Sequence, residues 1–182
     1  MPLSRVRIVE TAASRLREQG LAGLSMRRLA RDLGVQPGAL YHYVASKQEL
    51  LAAVGEQILS ESVPVVSTAD PAQTAADLRA ALLPIRDGAE VISFVHAYKP
   101  DALGPLRSLQ LALVQRLPPA RARIVGESLI RFVLGFVAVE QNRAELVRAR
   151  ILKDDLPTTD TESAFEFGVR ALLVDLEQTH GP

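Results

Sequence analysis

The 182-residue sequence contains no cysteine and no tryptophan. The lack of cysteine excludes disulfides, thiolate nucleophiles and metal sites with cysteine ligands, and it makes the cytoplasm the expected compartment. Aromatic residues are few, with 5 Phe and 3 Tyr, so Leu, Val and Ala must fill the core, a composition that favours helices. The longest apolar run, residues 132–139, is shorter than the roughly 18 residues of a membrane span, so we expect no membrane partner.

An overall excess of charge is also lacking, because 21 Lys and Arg balance 21 Asp and Glu. The balance hides an asymmetry: residues 1–50 hold eight basic and four acidic side chains, whereas residues 51–182 hold thirteen and seventeen. A basic end joined to a larger acidic end is the distribution expected of a small nucleic-acid-binding domain on a separate body.

Polar caps and a glycine divide the first 62 residues into four predicted helices. Ser4, Ser25 and Ser46 can each accept a hydrogen bond from the free N–H groups at a helix start, and Ser46 forms a capping box with Glu49. Gly34 can adopt the left-handed backbone conformation that commonly ends a helix. These signals predict helices over residues 4–19, 26–33, 37–43 and 47–62.

A linker over residues 63–71 separates these helices from the remainder of the chain. Apolar residues at helical spacing predict five more helices, over residues 71–86, 89–98, 105–117, 119–152 and 162–179, and leave open whether the fourth of them is interrupted. No segment alternates like a strand for long. The predicted fold class is therefore all-α.

Residues 29–44 carry the pattern of a helix-turn-helix. Two short helices that cross closely need a small residue at the crossing, a glycine at the turn and apolar inner faces, and Ala30, Gly34 and Leu40 supply these. The inner face is completed by Leu29, Leu33, Val35 and Val44. An ordinary helical hairpin would satisfy the inner pattern alone, but the outer side is basic and aromatic, which favours a DNA-binding unit.

Residues 4–60, most specifically residues 23–51, resemble the N-terminal domain of the TetR family of bacterial transcriptional regulators. Weaker similarity to the tetracycline-binding members of that family continues at residues 86–89, 132–141 and 164–168. The resemblance implies an all-helical homodimer that binds operator DNA and releases it when a small-molecule effector enters the body. It divides the chain into a helix-turn-helix domain over residues 1–46, a connecting fourth helix over 47–62, and a ligand-binding and dimerisation domain over 63–182.

The same resemblance assigns the contacts with DNA. Base-facing positions fall at Arg27, Gln36, Pro37, Gly38, Ala39, Tyr41 and His42, and phosphate-binding positions at Ser25, Tyr43 and Lys47, with Arg28 on the same basic side. The guanidinium of Arg27 suits guanine because its fork can donate to O6 and N7 together. Gly38 and Ala39 cannot hydrogen-bond bases through side chains, so we expect Arg27, Gln36, Tyr41 and His42 to carry the specificity.

The resemblance also places an effector pocket in the body, with no cofactor and no metal ion. Its expected lining is Phe94, His96, Tyr98, Arg107, Gln110, Arg131 and Phe136. Alignment with the tetracycline-binding members puts Ile92, Arg131 and Val139 where those proteins hold magnesium, so we expect an effector other than a magnesium–tetracycline complex. Arg131 would suit an anionic molecule unless it pairs with Glu127, one helical turn earlier.

Two segments are apolar on nearly every side, residues 132–139 and the last predicted helix, and each needs a partner helix to cover it. We expect them to form the dimer interface, with contacts from Phe132, Phe165, Val169, Leu172, Leu173 and Leu176. The alternative is that both are central core helices of one chain.

Two other functional classes remain open at this point. An enzyme with an all-helical pocket would use His96 or Arg131, but no catalytic motif accompanies either residue. A DNA-binding protein whose body senses nothing would bind its operator whatever metabolite is added.

Overall fold

The computed structural model describes residues 2–63, 70–153 and 160–178, with side chains up to residue 174 in the last segment. Within these ranges the chain forms α-helices and one short 3-10 helix at Pro100–Ala102, and no strand. The all-α prediction is confirmed. The helices are Arg5–Gly23 (α1), Met26–Leu33 (α2), Pro37–Leu40 (α3), Lys47–Ser62 (α4), Pro71–Leu82 (α5), Gly88–Tyr98 (α6), Gly104–Val114 (α7), Pro119–Arg148 (α8) and Thr161–Gln178 (α9).

The serine caps act as the sequence predicts. The hydroxyls of Ser4, Ser25 and Ser46 each accept a hydrogen bond from the backbone N–H three residues later, at 3.2, 3.3 and 3.1 Å. The capping box at Ser46 is only half formed, because the carboxylate of Glu49 is engaged by Tyr98 and Lys99 at the end of α6 instead. Gly34 ends α2 in the left-handed conformation, with φ 68°.

Five helices end at residues other than those the sequence predicts, and two of them, α7 and α8, end early, at Val114 instead of residue 117 and at Arg148 instead of residue 152. Helix α1 continues past residue 19 to Gly23 through a kink at Gly20, where φ is 67°. Helix α3 ends at Leu40, because the N–H groups of Tyr43 and Val44 both turn back to its carbonyl at 3.0 Å and Val44 enters the core. Helix α5 ends at Leu82, since the following residues form a turn that leads into α6.

Two packed units share helix α4. Its contacts with α1 belong to the N-terminal unit of α1–α4, and its contacts with α5, α6 and α7 belong to the body. In the body α8 is the central element and contacts α5, α6, α7 and α9. Helix α8 runs without interruption over 30 residues. Within the described ranges, no helix is long and apolar enough to cross a membrane.

Candidate DNA-reading surface and effector site

The helix-turn-helix is built on a fully apolar inner face. Leu29, Ala30 and Leu40 are at most 1% exposed, and Val44 is also buried. Burial of a leucine side chain contributes about 1.5–3 kcal/mol, so this small core is enough to hold α3 against α2. Helix α3, which occupies the position of the recognition helix in a helix-turn-helix, is thereby fixed to the larger α1–α2 unit.

All eleven residues that the sequence assigns to DNA retain accessible surface. Arg27, Arg28, Gln36, Gly38, Tyr41, His42 and Tyr43 are exposed, and Ser25, Pro37, Ala39 and Lys47 are half-buried. They lie on α2, on α3, in the connecting turns and at the start of α4. The structure therefore places the whole predicted set on accessible surface next to the recognition helix.

The basic side chains of this surface are free of internal partners. No described residue forms an ion pair with Arg27, Arg28 or Lys47, and the nearby acid Asp32 is engaged by Arg15, whose Nε donates to it at 2.6 Å. A Cβ added at Gly38 would meet no atom within 4 Å. No contact among the described residues accounts for these unpaired cations or for the missing side chain at position 38, whereas close approach of a DNA backbone would use both.

Two grooves open on the body on either side of His96. The larger, of about 1270 Å³, runs between α6 and α8, and the smaller, of about 620 Å³, lies between the end of α6, α7 and the start of α8. Of the predicted pocket residues, Phe94, His96 and Arg131 line the larger groove. His96, Arg107 and Gln110 line the smaller one.

Tyr98 and Phe136 lie apart from both grooves. The Tyr98 hydroxyl donates to Glu49 at 3.2 Å, and its ring stacks on Phe94 with centroids 5.7 Å apart. Phe136 packs between α8 and α9, in edge contact with the ring of Phe165. The predicted single pocket is thus divided in the structure, and these two aromatic residues belong to other contacts.

Glu127 contacts both Arg131 and His96, two of the polar residues predicted to line the pocket. It accepts from Arg131 Nη2 at 2.9 Å and faces His96 Nε2 at 3.4 Å. Arg131 therefore has the acidic partner that the sequence left as an alternative, so its charge is already compensated. His96 Nδ1 is buried without a hydrogen-bond partner.

The three positions aligned with a magnesium site do not converge. Ile92 is 1% exposed in the core, Val139 is 70% exposed on the outside of α8, and Arg131 carries a positive charge. Over the described ranges, no group of three His, Asp or Glu side chains is arranged to hold a metal ion.

The residues predicted for the dimer interface fall into two sets. Phe165, Val169 and Leu173 are buried inside the chain itself, while Phe132 and Leu172 are half-buried; Leu176 lies in α9 beyond the described side chains. The large apolar side chains that are exposed on these two helices include Phe167 and Val174 on α9 and Ile124 and Val139 on α8. These residues were not predicted for the interface, although Phe167 and Val174 lie seven residues, or about two helical turns, apart and therefore on one side of α9.

An ion cluster between α5, α8 and α9 was also missed. Arg79 donates to both carboxylate oxygens of Glu140, at 2.9 and 2.7 Å, and to Glu162 at 2.6 Å. Its guanidinium lies 5.0 Å from the ring centroid of Phe165. The hydrogen bonds to Glu140, followed by those to Glu162, raise the pKa of Arg79, so this largely buried group stays charged.

A helix-turn-helix with an unpaired basic outer face, carried on a larger helical body, defines a DNA-binding regulatory protein. Residues 8–54 match the family model described as bacterial regulatory proteins, tetR family. Among curated proteins, the tetracycline repressor protein class E of Escherichia coli is 28% identical over 183 residues, covering 91% of this chain and 87% of that protein.

Solved structures show the same similarity over nearly the whole chain. BioQ, in a crystal structure with its natural double-stranded DNA operator, is 31% identical with a TM-score of 0.74, covering 96% of this chain and 98% of that one. The TetR family protein ActR of Streptomyces coelicolor, in complex with (S)-DNPA, is 26% identical with a TM-score of 0.77, covering 98% of each chain. This chain belongs to the TetR family of transcriptional regulators.

Proposed function

We propose that the protein is a repressor that binds a palindromic operator as a homodimer and is released from it by a small-molecule effector. The observation that carries the proposal is the accessible, unpaired basic surface around the recognition helix. The similarity to BioQ supports it, because that protein is described with its operator DNA.

The outer face of α8 and α9 supports the homodimer. Val139 is 70% exposed and Phe167 74%, and Ile124 and Val174 are also exposed on the same two helices. A single chain gains nothing from exposing large apolar side chains on adjacent helices, whereas two copies related by a two-fold axis would cover them in a four-helix bundle. Such a dimer presents two recognition helices to equivalent half-sites, which is why the operator is expected to be palindromic.

The grooves beside His96 support release by an effector. The smaller groove, of about 620 Å³, lies within the range of about 300–1000 Å³ typical of small-molecule sites, and the larger groove, which exceeds it, combines the Phe94 ring with polar side chains from α8. ActR, a structural relative, is described in complex with (S)-DNPA. Since Arg131 is already paired with Glu127, an effector here need not be an anion.

Two substitutions test DNA reading by their different effects. Arg27→Ala should cost about 1–3 kcal/mol of binding free energy and relax the base preference at one position of each half-site. Lys47→Ala should instead weaken binding to all sequences about equally and reduce the slope of log K against log salt by about 1. Binding titrations on matched and mutated operators at several salt concentrations measure both effects.

The proposal fails if neither variant changes binding, or if both change it without distinguishing one sequence from another. A search for small molecules that release the operator addresses the effector separately. Operator affinity that no candidate effector changes would instead favour a DNA-binding protein without sensing.

A further inference from the structure

The DNA-binding domain is attached to the body at a second point besides α4. At the kink near the end of α1, the backbone N–H of Leu21 donates to Oδ2 of Asp87 at 2.7 Å, across 66 residues of sequence. Asp87 lies in the turn between α5 and α6, immediately before α6 begins. A body side chain therefore satisfies a backbone group that the kink in α1 leaves free.

Gly20 makes room for this contact. Its φ of 67° and ψ of −171° are a conformation that essentially only glycine adopts. A Cβ at position 20 would overlap Oδ2 of Asp87 and press on the Arg86 side chain. Both the backbone conformation and the close approach thus require glycine here, so the end of α1 is shaped to meet the carboxylate.

Helix α8 holds the turn that carries Asp87 in place. The Gln141 side-chain amide donates to the carbonyls of Leu82 and Ile85 at 2.8 and 2.6 Å, and its oxygen accepts from the N–H of Ala89 at 3.2 Å. Asp87 itself is left-handed, with φ 56° and ψ 22°. The turn is therefore hydrogen-bonded to α8 on one side and to the end of α1 on the other.

We propose that Asp87 is a positioning residue that sets the spacing between the two DNA-reading domains of the dimer. The inference rests on the proposed function, because α8 must belong to the dimer interface for the path from Gln141 to Leu21 to start near the two-fold axis. Helix α4 is attached to the body along its own length, through α5, α6 and α7 and through the bonds of Tyr98 and Lys99 to Glu49. The Asp87 contact adds an attachment at the end of α1, away from α4, and this separate attachment resists rotation of the domain about the α4 axis.

The geometry gives the size of the effect. The straight part of α1, from Arg5 to the kink at Gly20, is about 22 Å long, at about 1.5 Å per residue. A rotation of about 6° at the kink would move its far end by about 2.3 Å, which is about two-thirds of the roughly 3.4 Å rise of one base pair. Loss of the hydrogen bond between Asp87 and Leu21 should therefore allow the protein to bind half-sites shifted by one base pair with little further loss of affinity.

Two substitutions of Asp87 distinguish loss of its hydrogen bond to Leu21 from disruption of the turn. Asp87→Gly deletes the carboxylate but suits the left-handed backbone better than aspartate does, so the turn should persist. Asp87→Asn tolerates the same backbone and keeps a side-chain oxygen that can accept from Leu21. Glu90→Ala, an exposed acid three residues further along, serves as the matched control.

The assay measures the affinity of the full-length protein for operators with identical half-sites and spacers changed by −1, +1 and +2 base pairs. We expect the natural protein, Glu90→Ala and Asp87→Asn to prefer one spacing by about 30-fold or more, equivalent to one or two lost base contacts. Asp87→Gly should bind that operator about tenfold more weakly and discriminate adjacent spacings by less than about threefold. Gln141→Ala, which releases the same turn from α8, should flatten the preference in the same way.

Base preference at the Arg27 position should remain unchanged in Asp87→Gly, since the reading surface itself is intact. An Asp87→Gly protein that keeps the natural spacing preference overturns the inference, and so does an equal loss of affinity at every spacing, which would mark a general structural role. Absence of sequence-specific binding by the unmodified protein would contradict the proposed function instead, so the two failures are distinguishable.

Discussion

Replacement of Phe167 by glutamate should separate the proposed dimer while leaving each chain folded. The Phe167 side chain is 74% exposed on α9, so it contributes little to the core of its own chain. A phenylalanine covers about 200 Å² when fully buried, which leaves about 150 Å² for a partner to cover. At about 25 cal/mol per Å², this area contributes up to about 4 kcal/mol per copy.

Immobilising the Phe167 side chain and covering it incompletely offset part of that gain, so we take about 4 kcal/mol for both copies together. Phe167→Glu should then raise the dimer dissociation constant about 1000-fold, before the cost of burying its charge is added. Analytical ultracentrifugation across a range of protein concentrations measures this constant. The thermal unfolding of the dissociated variant, followed by circular dichroism, shows whether the single chain is intact.

Phe165→Ala is the matched control, two residues away on the same helix. Phe165 is 2% exposed and packs against Phe132 and Phe136, so its truncation should lower the free energy of unfolding by about 3–5 kcal/mol. A Phe167→Glu protein whose dimer dissociation constant lies within about tenfold of the natural protein's would contradict the predicted role of Phe167. So would a Phe167→Glu protein with the same loss of chain stability as Phe165→Ala.

Three further predictions concern the ion cluster, the junction of α4 with α6, and the effector. Arg79→Met leaves the carboxylate of Glu140 without its partner, so urea unfolding should show a loss of about 3–5 kcal/mol, and a loss below about 1 kcal/mol would contradict the assigned role. Hydrogen bonds from the lysine and then the tyrosine at the end of α6 hold the pKa of Glu49 below its usual 4.5, so its contribution to stability should be present at neutral pH and disappear as the pH falls through that lowered pKa. Denaturant unfolding of the natural protein and Glu49→Gln should therefore differ at pH 7 and converge in acid, and a difference that does not change with pH would be evidence against the contact. Magnesium and tetracycline at micromolar concentration should not release the operator, because Ile92 occupies a position that would have to supply a metal ligand; release in a fluorescence anisotropy titration would contradict this.

The helices and the DNA-reading surface could be predicted because their signals are local. Ser4, Ser25 and Ser46 cap the helices that follow them, and Gly34 ends α2, since each of these contacts spans three or four residues. The helix-turn-helix pattern likewise lies within 16 consecutive residues. Local chemistry therefore suffices to place the basic residues around α3.

The orientation of α9 could not be read in the same way. Its apolar residues surround the helix, so spacing does not tell whether Phe165 or Phe167 points inward. The structure settles this through packing: Phe165 joins the aromatic cluster of α8, and Gly168 lets the Phe132 ring approach so closely that a Cβ would overlap it. Such a contact depends on two helices meeting, which no single segment encodes.

Contacts between distant segments were missed for a related reason. The ion pair of Arg79 with Glu140 spans 61 residues, and the hydrogen bond of Leu21 with Asp87 spans 66. The pairing of Arg131 with Glu127 was visible as an alternative because it spans one helical turn. The division of the predicted pocket into two grooves follows from how α6, α7 and α8 pack together, which sequence spacing does not determine.

Reading of DNA by a symmetric dimer through α2 and α3 can be tested by selecting the DNA bound by the purified full-length protein from a pool of random sequences and sequencing it. We expect a motif of two inverted half-sites at one fixed spacing, with guanine at the position whose preference is lost in Arg27→Ala. Recovery of DNA without an enriched motif, or of a single motif without an inverted copy, would contradict it.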